Sequence, residues 1–416
     1  MADKDPEEII QSISSNAEEA SSAMQTVGSP FQYACTAPSD CPWPKSKTFR
    51  ALEFTGRYRN YTNADTWYPS WAEDDCLYSP WTDGYVLDSQ VYSAFDATHP
   101  GTRCHSLDFG GFNAATGQAR ISGPDPMNLV VEPILPNVEG SPAPYGGRYP
   151  CANLVKDGIW YYGTYCLTNH PTSDCGGVGW TEFGPFVGFR TSRDYGRTWA
   201  NGPRTPTNPL FGEDPKKAKI KMGSPHFVDF GKNMTHSPDG LAYLVAHGST
   251  DPASWNNYIQ GDHIYLARVK PSIKTINDLD CYEFYAGKTG GKPVWSKRMD
   301  AMKPLLSWPC HLGCVTITFN PALNNYLMFV TRGTSGHLGD TMFLESDRLT
   351  GPWKLVQYLK NFGPNAYFIN IPTKFISADG LTFWLCYSAN WIIKNRPGNP
   401  PGSHYSLSLH EVTLLA

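Results

Sequence analysis

The sequence predicts an all-β fold: a five-bladed β-propeller of four-stranded antiparallel blades, preceded by a short N-terminal helical appendage. Three observations lead there. Five segments repeat one plan: an apolar strand, a tight turn of Asp, Asn or Gly, and a second strand. Their turns fall near residues 74, 157, 239, 324 and 379; the first four are 82 to 85 residues apart and the last interval is 55. The composition also suits many short strands, with 38 Gly, 35 Pro and 13% aromatic residues against 17% charged. Radial repetition of small sheets hides most strand edges, so an even hairpin period over this length reads as a propeller. Two stacked β-sandwiches are the rival reading, but they would not space their hairpins so evenly.

Each element follows from local signals. Residues 5 to about 27 carry the helix: Asp5 caps it, Pro6 suits its first turn and Gly28 ends it. From residue 48 the chain alternates aromatic and β-branched residues, broken by Gly, Pro and Asp. The hairpins occupy 66–84, 148–166, 224–248, 311–333 and 366–388, and "KDG", "PDG" and "ADG" supply three of the turns. Third strands read at 184–192, 261–269, 339–347 and 402–412, and fourth strands at 281–287 and 352–359. The last repeat lacks a fourth strand, and "TFRALEFTGRYRN" (48–60) can supply it and close the ring. The expected division is therefore an N-terminal helix and linker over 1–47 and a single propeller over 48–416.

Composition removes some functions. A net charge of −4 without any Lys/Arg run gives no support to a nucleic-acid partner. No apolar run approaches the ~18 residues that a spanning helix needs, so no membrane partner is expected. The opening "MADKDPEEIIQSISS" is acidic and polar where a signal peptide is basic and then apolar; localisation stays open, with secretion requiring a leader already removed. Eleven Cys is an odd number. Cys76, Cys166 and Cys386 sit in strands as buried thiols, and Cys35/Cys41 and Cys310/Cys314 are spaced for disulfides. No set of pairs suits zinc.

Topology separates two faces. If every first strand runs from top to bottom, the "DG" turns and the turns between third and fourth strands lie at the bottom. "SRDYGRTW" (192–199) is one of the latter, and "ESDRLTGPW" (345–353) is a looser version. The top face gathers first-strand starts, second-strand ends and the loops after them. There lie Asp65, Trp67, Asp83, His105, Asp108, Arg148, Tyr149, Glu182, His226, His247, Asp251, Asp262, His311, Arg332, His337, Asp340, Tyr367 and Asn370. Carboxylates, imidazoles and guanidinium groups among aromatic walls suit sugar chemistry, where rings stack on aromatic faces and paired carboxylates act as acid and base.

"SRDYGRTW" resembles the Asp-box of sialidases and other propellers, whose Asp accepts backbone hydrogen bonds and whose Trp packs between blades. Five blades of this size, an Asp opening the first inner strand and "GPW" after a third strand resemble the five-bladed propeller glycosidases of the arabinanase, xylosidase and invertase type. The resemblance covers residues ~48–416 as architecture. It implies that Asp65, in "NADTWYPSW", is general base or nucleophile, with a second Asp holding the sugar or tuning its pKa and a middle-blade acid as proton donor. Asp83 and Asp262 are the candidates for these places. His226 and His311 stand where the family has an acidic residue at a middle-blade strand start, which leaves the general acid open. Trp67, Arg148, Tyr149, Arg332 and Tyr367 are the expected substrate-binding residues.

Each residue has a plainer role open to it. Asp65 can cap a turn, Asp83 precedes Gly84 in a turn-like "TDG", and Asp262 and Asp340 share a "GD" start that fits a repeated structural bond. Glycosidic hydrolysis of an oligo- or polysaccharide is the leading function. A polysaccharide lyase is the alternative, with Arg148 on a uronate carboxylate and His226 or His311 with Tyr149 or Tyr367 moving protons. A non-catalytic sugar-binding propeller is the third. No cofactor is required, although a calcium ion near the axis can be accommodated beside His226 or His311.

Overall fold

The structure is a computed structural model and describes residues 26–33, 35–91, 114–168, 182–333, 339–363, 366–389 and 399–416. Among them the only helices are four short 3-10 turns, and every other element is a strand. The fold is all-β and propeller-like.

The strands form five antiparallel sheets, numbered I to V in the chain order of their inner strands. Sheet I runs Asn63–Asp65, Leu77–Val86, Ala114–Ser122 and Val138–Gly140 from its inner to its outer edge. Sheet II holds Gly147–Lys156, Ile159–Thr168 and Glu182–Ser192. Sheet III begins with Gly223–Phe227, Ala242–Gly248, His263–Val269 and Glu283–Thr289. Sheet IV runs Val315–Asn320, Asn325–Arg332, Asp340–Ser346 and Lys354–Leu359. Sheet V runs Tyr367–Asn370, Thr382–Ser388, Ser408–Leu415 and Ala51–Asn60. Neighbouring sheets touch in a cycle, I against II and onward to V against I. One residue from the inner segment of each sheet, Tyr68, Asn153, His226, Thr316 and Asn370, lines a common cavity.

Closure comes from the start of the chain, as the sequence suggests. Ala51–Asn60 lies antiparallel to Ser408–Leu415, with Leu52 opposite Leu414 and Arg59 opposite Leu409. Alternation places Leu52, Phe54, Val412 and Leu414 in one buried cluster with Phe329 and Phe343 of sheet IV. His410 lies between the rings of Tyr58 and Tyr387, at 5.3 and 5.1 Å.

Three expectations are corrected. The five sheets are not equal four-stranded blades: four have four or more strands, and sheet II has three. The reason is the segment after it, in which Pro203, Pro206 and Pro209 cannot donate to a ladder. That edge is held instead by Ala200 N–H on Thr191 O at 2.8 Å, Leu210 N–H on Val187 O at 3.0 Å, and the Asn277 amide bonded to both backbone groups of Phe189 at 2.8 Å. The helix expected over 5–27 lies outside the described residues except at its end, where Thr26–Val27 is a strand paired with Ala51–Asn60. The expected disulfides are absent, since Cys35, Cys41, Cys310 and Cys314 are all free thiols; Cys314 is buried and donates to Tyr258 O.

The Asp-box forms the turn expected of it. Asp194 accepts from the Thr198 N–H and hydroxyl at 2.9 and 2.7 Å, and from Ser192 Oγ at 2.7 Å. Those bonds, the Thr198 hydroxyl first, hold its carboxyl below the usual range. Trp199 packs on Trp160 and Tyr162, each 5.4 Å away, within an apolar cluster that joins sheets I and II. In the looser copy the bonding differs: Glu345 accepts from Ser46 and Asn325 at 2.9 Å and ties residues before the closing strand to sheet IV.

The closing strand makes a stability prediction. Leu52 is fully buried, so Leu52→Ala should cost about 3 kcal/mol, while Glu53→Ala beside it should cost less than about 0.5 kcal/mol. Urea midpoints of the two variants check this; equal losses would contradict a seam held by its inward face.

Candidate functional site

The inner strands share a backbone irregularity. Pairing slips between Asn63 and Asp65 in sheet I, Pro150 and Asn153 in sheet II, Gly223 and His226 in sheet III, and Tyr367 and Asn370 in sheet V. Three of these irregularities hold a non-glycine residue in the left-handed region: Asp83 at φ 49° on the strand facing Asn63–Asp65, Ser224 at 42° and Phe368 at 50°. Bulges re-aim side chains, and costly conformations persist where surrounding structure fixes them, often at working sites.

Asp65 stands at the first of these bulges. It is buried, and Tyr367, reaching over from sheet V, donates its hydroxyl to Asp65 Oδ2. Oδ1 is buried without a hydrogen bond of ordinary geometry among the described residues. Burial, and next the charge of Asp83, push the Asp65 carboxyl well above the usual range, against smaller opposing effects of Tyr367, Tyr405 and Thr66. The shift favours the protonated form of Asp65 over the ionised one. Asp83 is brought beside it by a left-handed turn of the backbone (φ 49°) inside Leu77–Val86, and the Tyr405 hydroxyl donates to Asp83 O at 2.8 Å.

A shell of tyrosines surrounds this pair. Tyr68, Tyr258 and Tyr367 all lie within electrostatic reach of Asp65, and burial, the largest cause for each, pushes their hydroxyls further from ionisation. Tyr165 is likewise pushed up by burial, and Tyr149 packs 5.8 Å from its ring. His226 lies below, its ring 4.3 Å from Tyr68 and 4.5 Å from Phe368. Burial, then the neighbouring His247, lowers it to about 3, so it is a neutral imidazole. Its Nε2 and the Tyr68 hydroxyl are buried without a partner among the described residues. Unpaired polar atoms are uncommon in native interiors, and a group of them around one axis marks a place for a ligand or ordered water.

Most of the remaining expected residues lie elsewhere or are held by the fold itself. Asp262 is a satisfied structural carboxylate: Ser249 and Ser254 donate to Oδ2, and the Cys310 N–H donates to Oδ1 at 2.8 Å. Asp340 repeats the arrangement with Tyr358 on Oδ2 and the Asn361 N–H on Oδ1 at 2.9 Å, so the shared "GD" start has a structural meaning. His311 is part-exposed and stacks on Trp308 at 4.1 Å, outside the strand it was expected to open. Arg332 lies over the same Trp308 ring at 5.8 Å and donates to Tyr358 at 3.2 Å. Trp67 is a core residue: it stacks on Trp81 at 6.3 Å and donates to Ala64 O at 2.9 Å. Arg148 binds Thr164 Oγ1 at 2.8 Å and lines a separate crevice on the side of sheet II. Glu182 pairs with Lys219 at 3.5 Å, and Asp251 caps its own turn through the Ala253 N–H at 2.9 Å. His247 bonds Asn257 O at 2.7 Å, and Asn370 donates to Trp67 O at 3.0 Å. His105, Asp108 and His337 lie outside the described residues.

Among the described residues no group of three His, Cys, Asp or Glu side chains could hold a metal ion. The sequence reading missed Tyr68, Tyr258 and Tyr405. Tyr68 follows Asp65 by three residues on the same inner segment and was findable; Tyr258 and Tyr405 lie in irregular connections that carry no periodic signal.

No family model and no curated protein sequence matches this chain. Solved structures resemble it at low identity. A GH43_1 enzyme from Xanthomonas citri is 15% identical over 85% of this chain and 88% of its own, with a TM-score of 0.44. A GH43 β-xylosidase/α-arabinofuranosidase from a compost microbial metagenome is 14% identical over 86% and 92%, at 0.43. The Bombyx mori GH32 β-fructofuranosidase is 11% identical over 98% of this chain and 66% of its own, at 0.45. At such identities no residue here takes a role from them.

The raised carboxyl has a thermodynamic consequence. Folded Asp65 keeps a proton that the unfolded chain releases above its ordinary value, so its contribution falls as pH rises through the carboxylate range. Asp65→Asn should therefore stabilise the protein at pH 7 and gain little at pH 4. Urea unfolding at both pH values tests this, and a loss of stability in the variant at pH 7 would contradict a protonated Asp65.

Proposed function

We propose that the protein is a five-bladed propeller enzyme that hydrolyses glycosidic bonds in an oligo- or polysaccharide, with Asp65 and Asp83 as its carboxylate pair. The blade count rests on the inner segments of all five sheets lining one axial cavity, with sheet II as a shortened blade. The observation that carries the function is a buried Asp65 whose carboxyl is raised by burial and next by the charge of a second carboxylate, Asp83. A carboxyl raised by burial beside a second carboxyl suits the proton-donor place in a glycosidase pair.

In this reading Asp65 is the proton donor to the departing sugar oxygen, and Tyr367, hydrogen-bonded to it, fixes which way the carboxyl faces. Asp83 takes the base or nucleophile role. This reverses the role that the family resemblance implies for Asp65, and the reason is its burial. The lyase alternative loses support because Arg148, its intended uronate clamp, lines another crevice, and because His226 and His311 do not share a pocket.

Cleavage over a panel of aryl glycosides and plant oligosaccharides tests the proposal. New reducing ends are expected, without the near-ultraviolet absorbance of an unsaturated product. Asp65→Asn and Asp83→Asn should each lower kcat by about 10²–10⁴-fold, the usual contribution of a positioned acid or base. Undiminished turnover in Asp65→Asn would remove the mechanism.

A further inference from the structure

Arg148, which the axial site does not use, is one of three arginines in the crevice beside sheet II. Its side chain crosses the sheet from Gly147–Lys156 to Thr164 on the middle strand, with a second contact to Ser141 O at 3.4 Å. It lies so close to Gly140 that a Cβ there would stand 2.2 Å from Nη1. Arg190, on the outer strand Glu182–Ser192, has neither a hydrogen bond nor an ion pair among the described residues. Arg204 spends its Nε and one Nη on Asn277 O, at 3.1 and 2.8 Å. No carboxylate lines the crevice; the exposed Glu139 is the acidic group nearest in effect to Arg190, and the two make no ion pair. Asn201, Thr205 and Thr207 add polar groups at an exposed rim.

The crevice exists because of the missing fourth strand. The proline-broken segment after residue 200 holds the sheet edge at separate points and leaves a gap where a strand would lie. Three guanidinium groups share that gap. Arg148 and Arg190 repel each other there, and burial lowers the affinity of both for their protons. Like charges gathered out of water are unfavourable unless something compensates them.

We propose that this crevice is an oxyanion site that takes a phosphate or sulfate group, free or carried as an ester. Guanidinium forks match such oxygens in geometry and charge. A carboxylate presents two oxygens, whereas a phosphate or sulfate group, free or as a monoester, presents at least three to guanidinium groups that approach from different segments. The site is distinct from Asp65, so it can exist whether or not the axial site cleaves sugars.

Calorimetric titration of the full chain with sodium sulfate and with sodium phosphate, against sodium chloride at matched ionic strength, tests this. Saturable binding of sulfate or phosphate over chloride is expected. Arg190→Gln breaks no bond within the protein, so it should keep the urea midpoint and weaken binding at least tenfold. Dextran sulfate, with unsulfated dextran as control, separates an esterified group from the free ion. Heats indistinguishable from those of chloride, or unchanged affinity in a folded Arg190→Gln, would overturn the proposal.

Discussion

Pairing between Ala51–Asn60 and Ser408–Leu415 is the contact on which the rest depends. A row of sheets joined end to end would leave an exposed edge at each end and no common axis. Completing sheet V with a strand from the other end of the chain joins the two ends into a ring. Only in a ring do the inner strands of sheets I and V stand side by side, so that Tyr367 can reach Asp65. The polar character of the axis is therefore a product of closure, with about 300 residues separating its two hydrogen-bonded partners.

Closure also sets the electrostatics. A carboxyl at the end of a lone strand would be solvated and ionised. Surrounded by Tyr68, Tyr258 and Tyr367 and set against Asp83, the same group is shifted toward its protonated form. That arrangement disfavours the folded state at neutral pH, as functional sites often do. The neutral, unpartnered His226 beneath it is of the same kind: a polar group held dry at a place where packing alone would select an apolar one. By contrast, Asp262 and Asp340 are fully bonded, and their bonds explain them without a ligand.

Much of this was legible in the sequence. The "KDG" turn appears with both Asp157 and Gly158 in the left-handed region, the conformation that selects those residues. The closing strand and the Asp-box turn also follow from local chemistry. Other features depend on long-range placement. Nothing in "GRYP" reveals that Arg148 would cross its own sheet to Thr164, because side-chain direction depends on register. Asp262 and Asp65 look alike in sequence, and what separates them is that Ser249, Ser254 and Cys310 arrive from connecting loops. The shortened sheet II was written in Pro203, Pro206 and Pro209, a signal outweighed by the evenness of the hairpin period.

The central claim is that Asp65 carries a proton at neutral pH because closure buries it beside Asp83. Infrared difference spectroscopy of the native protein against Asp65→Asn reads this directly through the carbonyl stretch of a protonated carboxyl. A protonated-carboxyl band that persists at pH 7 in the native protein and is missing from the variant is the expected result. Disappearance of that band through the ordinary carboxylate range, with no difference between the two proteins at pH 7, would contradict it.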